Sequence, residues 1–236
     1  MSDIRVFAIL GVGEIREGDS LHAIFLEALA TQGEELAHHD VIIVTSKVVS
    51  KAEGRVVPFD GTDEHKLALI NAESRRILRQ RGTLRITETH QGFINANAGI
   101  DLSNTNDGTA VLLPVDADRT ARRIRADVKR QVDLDVGVII TDTFGRVWRQ
   151  GVTDVALGSA GLRPILDLRG TTDANGRILE ATEVAIVDEI AGAANLVLQK
   201  SMGTPFAVIR GLSEDYFGEG SIREQMIRGQ NDDLFR

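Results

Sequence analysis

Two short apolar runs that end abruptly on polar residues constrain this chain most. Val41–Val44 leads directly into Thr45-Ser46-Lys47, and Val136–Thr141 closes on Asp142-Thr143. Runs this short, with no polar alternation, read as buried strands rather than helices. Strands and helices alternate around them. Ile4–Leu10 reads as a strand ending in Gly11-Val12-Gly13. Asp19 or Ser20 caps a helix to about Gln32, stopped by Gly33. Leu21, Ile24, Phe25, Ala28 and Leu29 fall on one of its faces. Leu67, Ile70, Ile77 and Leu78 give helical spacing to Thr62–Arg81. Asp116 or Asp118 opens a further helix to about Gln131. A strand near Ile165–Leu168, a turn at Thr172–Gly176, a helix over Thr182–Lys200 and a strand at Phe206–Arg210 follow. The tail from Glu219 reads as one helix and a loose end. Arg85–Leu113, rich in Asn, Gly, Asp and Thr, suits short strands and turns, and Gly145–Gly161 reads as a Gly-rich loop. The expected fold class is mixed α/β (α+β), with two intimately joined lobes, mixed sheets and helices. It is expected to be a single composite domain over 1–236 with a central lobe at about 84–160. Strand order is not legible.

The bulk numbers narrow the function. A length of 236 residues allows one large domain or two joined lobes with a sizeable core. The net charge of -8, with no long basic run, argues against a nucleic-acid binder, whose affinity leans on clustered Lys and Arg. Cysteine is absent, so there is no disulfide framework, thiolate nucleophile or Cys-type zinc site. No apolar stretch reaches the roughly 18 residues of a spanning helix, and no secretory leader is evident. The expectation is a soluble, cytoplasmic protein without a membrane partner.

Three polar segments suit a metal–nucleotide centre. Thr45-Ser46-Lys47 with Ser50-Lys51 sets two lysines and their neighbouring hydroxyls beside a strand end, where they can hold phosphate oxygens. It lacks the glycine spacing of a P-loop, and the alternative is a solvated basic turn. Ala96-Asn97-Ala98-Gly99-Ile100-Asp101-Leu102-Ser103-Asn104 combines small residues, which permit close backbone approach, with oxygen ligands. The alternative there is an Asx-rich turn capping its own backbone. Thr141 to Gly151 places a carboxylate and a hydroxyl at a strand's carboxyl end, suited to Mg or Mn. Arg146 and Arg149 there can neutralise phosphate or a carboxylate substrate, though an Asp at a strand end is also an ordinary turn former. His38, His39 and His90 lack metal-ligand spacing. Asp188-Glu189 reads as a helix surface or a packing contact. Neither a dinucleotide fingerprint nor a nucleophile elbow appears.

Taken in order, these segments resemble the coenzyme F-420 precursor γ-glutamyl ligase family. The resemblance rests on Gly11-Val12-Gly13-Glu14-Ile15 with Glu17-Gly18-Asp19, Ser50 to Arg55, and Asn97 to Asp101 with Ser103-Asn104. Leu112-Leu113-Pro114, Thr141 to Arg146 and Asp188 to Ala191 complete it. It implies an acid–amino-acid ligase that joins L-glutamate to the deazaflavin precursor using GTP, through an acyl phosphate, releasing GDP and phosphate. Addition of further γ-linked glutamates stays open. So does a metal- and nucleotide-dependent ligase or phosphotransferase with another acceptor. Carried over by the resemblance, Asp101, Asp142 and Thr143 would hold Mg or Mn, with K as a further cation. Val12, Gly13, Glu14, Ile15, Ser46, Lys47, Lys51 and Asn104 would contact GTP, together with the loop residues Lys200, Gly203 and Thr204. Asp101, Asp142 and Arg146 would serve catalysis, and the assembly would be a homodimer. Gly13 stands where the family usually has Pro, and Asn95 where a Cys is common.

Overall fold

Strands made only of apolar residues need cover on both faces, and this chain supplies it with helices on either side of one sheet. The computed structural model describes residues 3–102, 108–198 and 203–234. The chain begins with β1 (Arg5–Ile9), α1 (Leu21–Thr31), β2 (Val41–Thr45) and α2 (Ser46–Ala52). Next come β3 (Val56–Pro58), α3 (Asp63–Glu73), β4 (Ser74–Arg81), β5 (Leu84–Thr89), β6 (Ile94–Ala96) and β7 (Thr109–Val111). Then follow α4 (Ala117–Val132), β8 (Gly137–Gly145), β9 (Val152–Ala160), β10 (Leu166–Asp167) and β11 (Glu183–Val184). The chain closes with α5 (Ile186–Asn195), β12 (Phe206–Arg210) and α6 (Ile222–Gln225).

The main sheet has the order β1-β12-β2-β8-β9. Only β2 and β8 are parallel neighbours; the other pairs are antiparallel. This mixed sheet is not a doubly wound Rossmann arrangement. Alternation along β2 sends Ile42 and Val44 into one core, with Val138, Ile140, Phe206 and Val208 beside them. Phe25 and Leu29 of α1 and Ala121, Ile124 and Val128 of α4 cover that face. Val41 and Ile43 point the other way, with Ile139, Ala207 and Ile209, onto Ile186, Val187, Ile190 and Ala194 of α5. Each fully buried Ile or Val contributes about 1.5–3 kcal/mol, so the central strands carry much of the fold's stability.

A smaller section, residues 56–111, holds the antiparallel pair β3-β7 and the sheet β4-β5-β6, while β8 and β9 belong to the main sheet. The mixed α/β class, with mixed and antiparallel sheets and helices, is what the sequence led us to expect. Among the described residues no helix is long and apolar enough to cross a membrane.

Helix α4 illustrates how the local code works. Asp116 accepts from the Arg119 N–H at 2.8 Å as its N-cap, and Asp133 ends it in the left-handed region. Its buried positions recur every three or four residues. One of them, Asp118, is charged yet 6% exposed. It accepts from Ser159 N, Ile222 N, Arg223 N and Ser221 Oγ, tying α4 to β9 and to the C-terminal segment.

Three sequence expectations need correction. The helix expected over Thr62–Arg81 stops at Glu73, and Ser74–Arg81 is the edge strand β4. The apolar spacing continued, but Ile77 is exposed, and the strand is held instead by pairing with β5 and by Arg75 and Arg76 on the buried Glu88. The helix expected over Thr182–Lys200 occupies Ile186–Asn195 within the described residues, with Glu183–Val184 in a strand. The Gly-rich span Gly145–Gly161 is mostly strand, because Val152–Ala160 pairs with β8 along its length.

Candidate active site

Sheet direction decides where the polar segments meet. β1, β2 and β8 run the same way, so their carboxyl ends lie along one edge, and β12 begins there. Thr45 aligns with Thr141 across β2-β8, and the Thr45 N–H donates to Pro205 O at 3.0 Å. The loop after β1, the start of α2, the end of β8 and the loop before β12 therefore surround one cleft. Its volume is about 470 Å³. Val12, Gly13, Glu14 and Ile15 form one wall, and Ser46, Lys47 and Lys51 another. Asp101, Asp142 and Thr143 line it with Gly203 and Thr204.

The first polar segment is not a turn but the opening of α2, which starts at Ser46. The amides of a first helical turn favour anions, the same ligands that the lysines suit. Lys47 Nζ lies 2.6 Å from Asp101 Oδ2, and Lys51 Nζ lies 2.6 Å from Glu14 Oε1. Both cations are thus held by carboxylates that line the same cleft. No side chain at Gly13 obstructs it, and a Cβ there would meet nothing within 4 Å.

Asp101 is delivered by a strained turn. Asn97, Ala98 and Gly99 all have positive φ, at 51, 56 and 69°. Two consecutive non-glycine residues there cost on the order of 1 kcal/mol each. The turn is fixed by Ala98 N donating to Thr87 Oγ1 at 3.0 Å and Arg85 N donating to Asn97 Oδ1 at 3.0 Å. Gly99 cannot be replaced easily, since a Cβ would come within 2.8 Å of Leu113. Beyond it, Asp101 and Val111 exchange backbone hydrogen bonds, both 2.9 Å, which pin the aspartate at the cleft. Asn95 is buried beneath this turn rather than in the cleft.

Asp142 and Thr143 stand where β9 makes its register shift against β8, between Ile140 and Thr141. Such irregularities re-aim side chains. Burial pushes the Asp142 carboxyl up to about 6; the Asp154 and Asp101 carboxylates add to this, while the Thr143 N–H and Ser46 hydroxyl oppose it. Asp154 was missed by the sequence reading. It lies opposite Thr143 on β9, is 5% exposed, and accepts from Thr143 Oγ1 at 2.7 Å. Its signal was an acidic residue flanked by the β-branched residues Val152, Thr153 and Val155, which requires recognising β9 as a strand. Thr141, which opens the third polar segment but was assigned no role of its own, is 1% exposed with its hydroxyl lacking a hydrogen-bond partner, and it lines the same cleft.

Arg146 does not join this group. It is exposed in the β8–β9 loop and donates to Gln150 O at 2.6 Å. Asn104 and Lys200 lie outside the described residues. Asp188 faces inward and accepts from Ala156 N at 2.9 Å, whereas Glu189 is exposed. The His38 and His39 rings meet at a tilt of 32°, and His39 stacks on Phe217.

Among the described residues, no three His, Cys, Asp or Glu side chains form a metal cage by themselves. The donor set nevertheless suits Mg or Mn, which take one or two carboxylates and complete their shell with water and substrate phosphate. Mutually repelling carboxylates beside an unsatisfied buried hydroxyl are what a hard cation would relieve.

Residues 10–211 match the family described as F420-0:gamma-glutamyl ligase. The coenzyme F420:L-glutamate ligase of Methanothermobacter thermautotrophicus is 36% identical over 99% of both chains. That of Methanopyrus kandleri is 38% identical over 94% of both, and that of Halobacterium salinarum 38% over 99% of this chain and 96% of its own. Similarity of this extent, spanning every wall of the described cleft, makes the chain a member of the F420-0:gamma-glutamyl ligase family.

Proposed function

We propose that this chain uses GTP to join L-glutamate by an amide bond to the deazaflavin precursor of coenzyme F-420. The observation that carries the reading is one cleft lined by two lysines, Lys47 and Lys51, and by three aspartates, Asp101, Asp142 and Asp154, the first and last of which help to raise the Asp142 carboxyl. Relatives bearing the name coenzyme F420:L-glutamate ligase supply the acceptor and the amino acid.

A carboxylate resists amine attack because oxide is a poor leaving group. In the proposed sequence a carboxylate oxygen of the precursor attacks the γ-phosphorus, GDP departs, and an acyl phosphate forms. The glutamate amine then attacks the acyl carbon, loses a proton, and expels phosphate with that oxygen. Chemistry of this kind needs in-line positioning and charge neutralisation more than a protein nucleophile. Lys47 and Lys51 would hold the polyphosphate, with the α2 amides beside them. Val12 to Ile15 would close over the nucleotide from the β1 side, and Gly203-Thr204 from the β12 side. Asp101, Asp142 and Thr143 would hold Mg or Mn, and Asp154, bonded to the Thr143 hydroxyl proton, would turn that oxygen's lone pairs toward the cleft. The bound cation would supply neutralisation of the transferring charge. K, a homodimeric assembly and a cytoplasmic location belong to the same proposal, on the family resemblance alone.

Mass spectrometry of the precursor after incubation with GTP, L-glutamate and Mn tests this reading. The expected product is heavier by at least one glutamyl residue, and each omission abolishes it. Product formed without GTP, or no product with all components, would count against it.

A further inference from the structure

The β8–β9 hairpin carries cleft residues at its base and an unexplained tip. Strand pairing ends at Gly145 opposite Val152, and residues 146–151 project beyond it. The chain's single tryptophan, Trp148, sits at that tip and is 88% exposed. Val147 and Val152 beside it are 69% and 62% exposed. Trp148 also has φ +66°. A bulky residue in the left-handed region is a conformational outlier, and such outliers cluster at ligand clamps. Arg146 and Arg149 flank it, both exposed, and residues 144–153 contain no acidic side chain, in a chain of net charge -8. An exposed indole flanked in sequence by two exposed arginines matches a planar, aromatic ligand with a negatively charged tail.

Position adds to chemistry. Thr143, at the cleft, is five residues from Trp148, a span of at most about 17 Å. An elongated acceptor can therefore reach both places at once. We propose that Trp148, between Arg146 and Arg149, is the platform on which the deazaflavin ring stacks while the precursor's carboxylate reacts in the cleft. This rests on the ligase reading and assigns acceptor specificity to the hairpin tip.

The single tryptophan makes the test direct. The wild-type protein, with a non-hydrolysable GTP analogue and Mn, is titrated with the precursor while indole emission is followed. Free N-acetyltryptophanamide corrects for absorption by the ring. Saturable quenching is expected. Trp148→Ala should raise the KM for the precursor on the order of tenfold, the loss of about one good aromatic contact. Trp148→Phe should recover most of that loss, and the KM for GTP should move less than about twofold in both. Absence of saturable quenching in a preparation that ligates, or an unchanged precursor KM in Trp148→Ala, overturns the platform. So does dissociation of Trp148→Ala into smaller species by sedimentation, with both KM values altered, since the tip would then join two copies of the chain. Saturable quenching without ligation would support the platform and count against the ligase reading instead.

Discussion

Asp142→Asn is expected to remain folded and to lose on the order of a hundredfold or more in turnover, the scale of removing one central electrostatic group. The same substitution should make the metal-free protein more stable at neutral pH. In the folded chain the Asp142 carboxyl is raised to about 6, chiefly by burial, against an ordinary value of 3.8. Ionising it in the fold is therefore unfavourable. That penalty is absent below about pH 4, grows between about pH 4 and 6, and is complete above about pH 6. Asparagine never incurs it, so the variant should gain about 1–3 kcal/mol over wild type at about pH 8 and nothing at about pH 4. Thermal melts with chelator at both pH values measure the difference. If Asp142 holds the cation as proposed, added Mn should reverse the order, because a carboxylate binds a hard cation better than an amide does. A variant less stable than wild type at pH 8 without metal would show that Asp142 is a structural residue, and wild-type turnover at limiting Mn would remove it from the site.

Gly158→Ala should be the most disruptive single methyl group in the main sheet. A Cβ at this position would sit 2.2 Å from the carbonyl carbon of Ala117 and 2.4 Å from the amide nitrogen of Asp118. Both belong to backbone at the start of α4, which cannot swing aside as a side chain can. Moving it would also strain the four hydrogen bonds that Asp118 makes to β9 and the C-terminal segment. Overpacking of this kind costs about 1–3 kcal/mol, and loss of buried hydrogen bonds adds to it. We expect a loss of about 3 kcal/mol or more, seen as a lower urea midpoint or as recovery only in the insoluble fraction. A midpoint equal to wild type would mean that α4 does not rest on β9 as described.

These two positions show what was legible in the sequence and what was not. Val41–Val44, Val136–Thr141 and Phe206–Arg210 could be read because strands buried on both faces leave unbroken apolar runs. The ends of α4 were legible through Asp116 and the spacing of its buried face. Gly158 misled, because a glycine that admits a helix looks, in one dimension, like a glycine that makes a turn. With β9 read as a loop, Asp154 had no partner strand and could not be placed opposite Thr143. Ser74–Arg81 misled for the opposite reason: its Ile and Leu kept helical spacing, although Ile77 is exposed and Leu78 only half-buried. The polar segments could be identified as chemistry by residue type, but their convergence depends on β1, β2 and β8 running in one direction with β12 between the first two. That is a property of strand order, which no local pattern carries. Arg146 was grouped with Asp142 by nearness in sequence, whereas the hairpin separates its tip from its base.

In the proposed reaction the precursor's own carboxylate is phosphorylated before glutamate attacks it. Precursor carrying oxygen-18 in both carboxylate oxygens, incubated with GTP, L-glutamate and Mn, separates the routes when phosphate and product are weighed by mass spectrometry. If the carboxylate is phosphorylated, each released phosphate carries one labelled oxygen and the new amide carbonyl keeps the other. Unlabelled phosphate formed in step with amide product would contradict it.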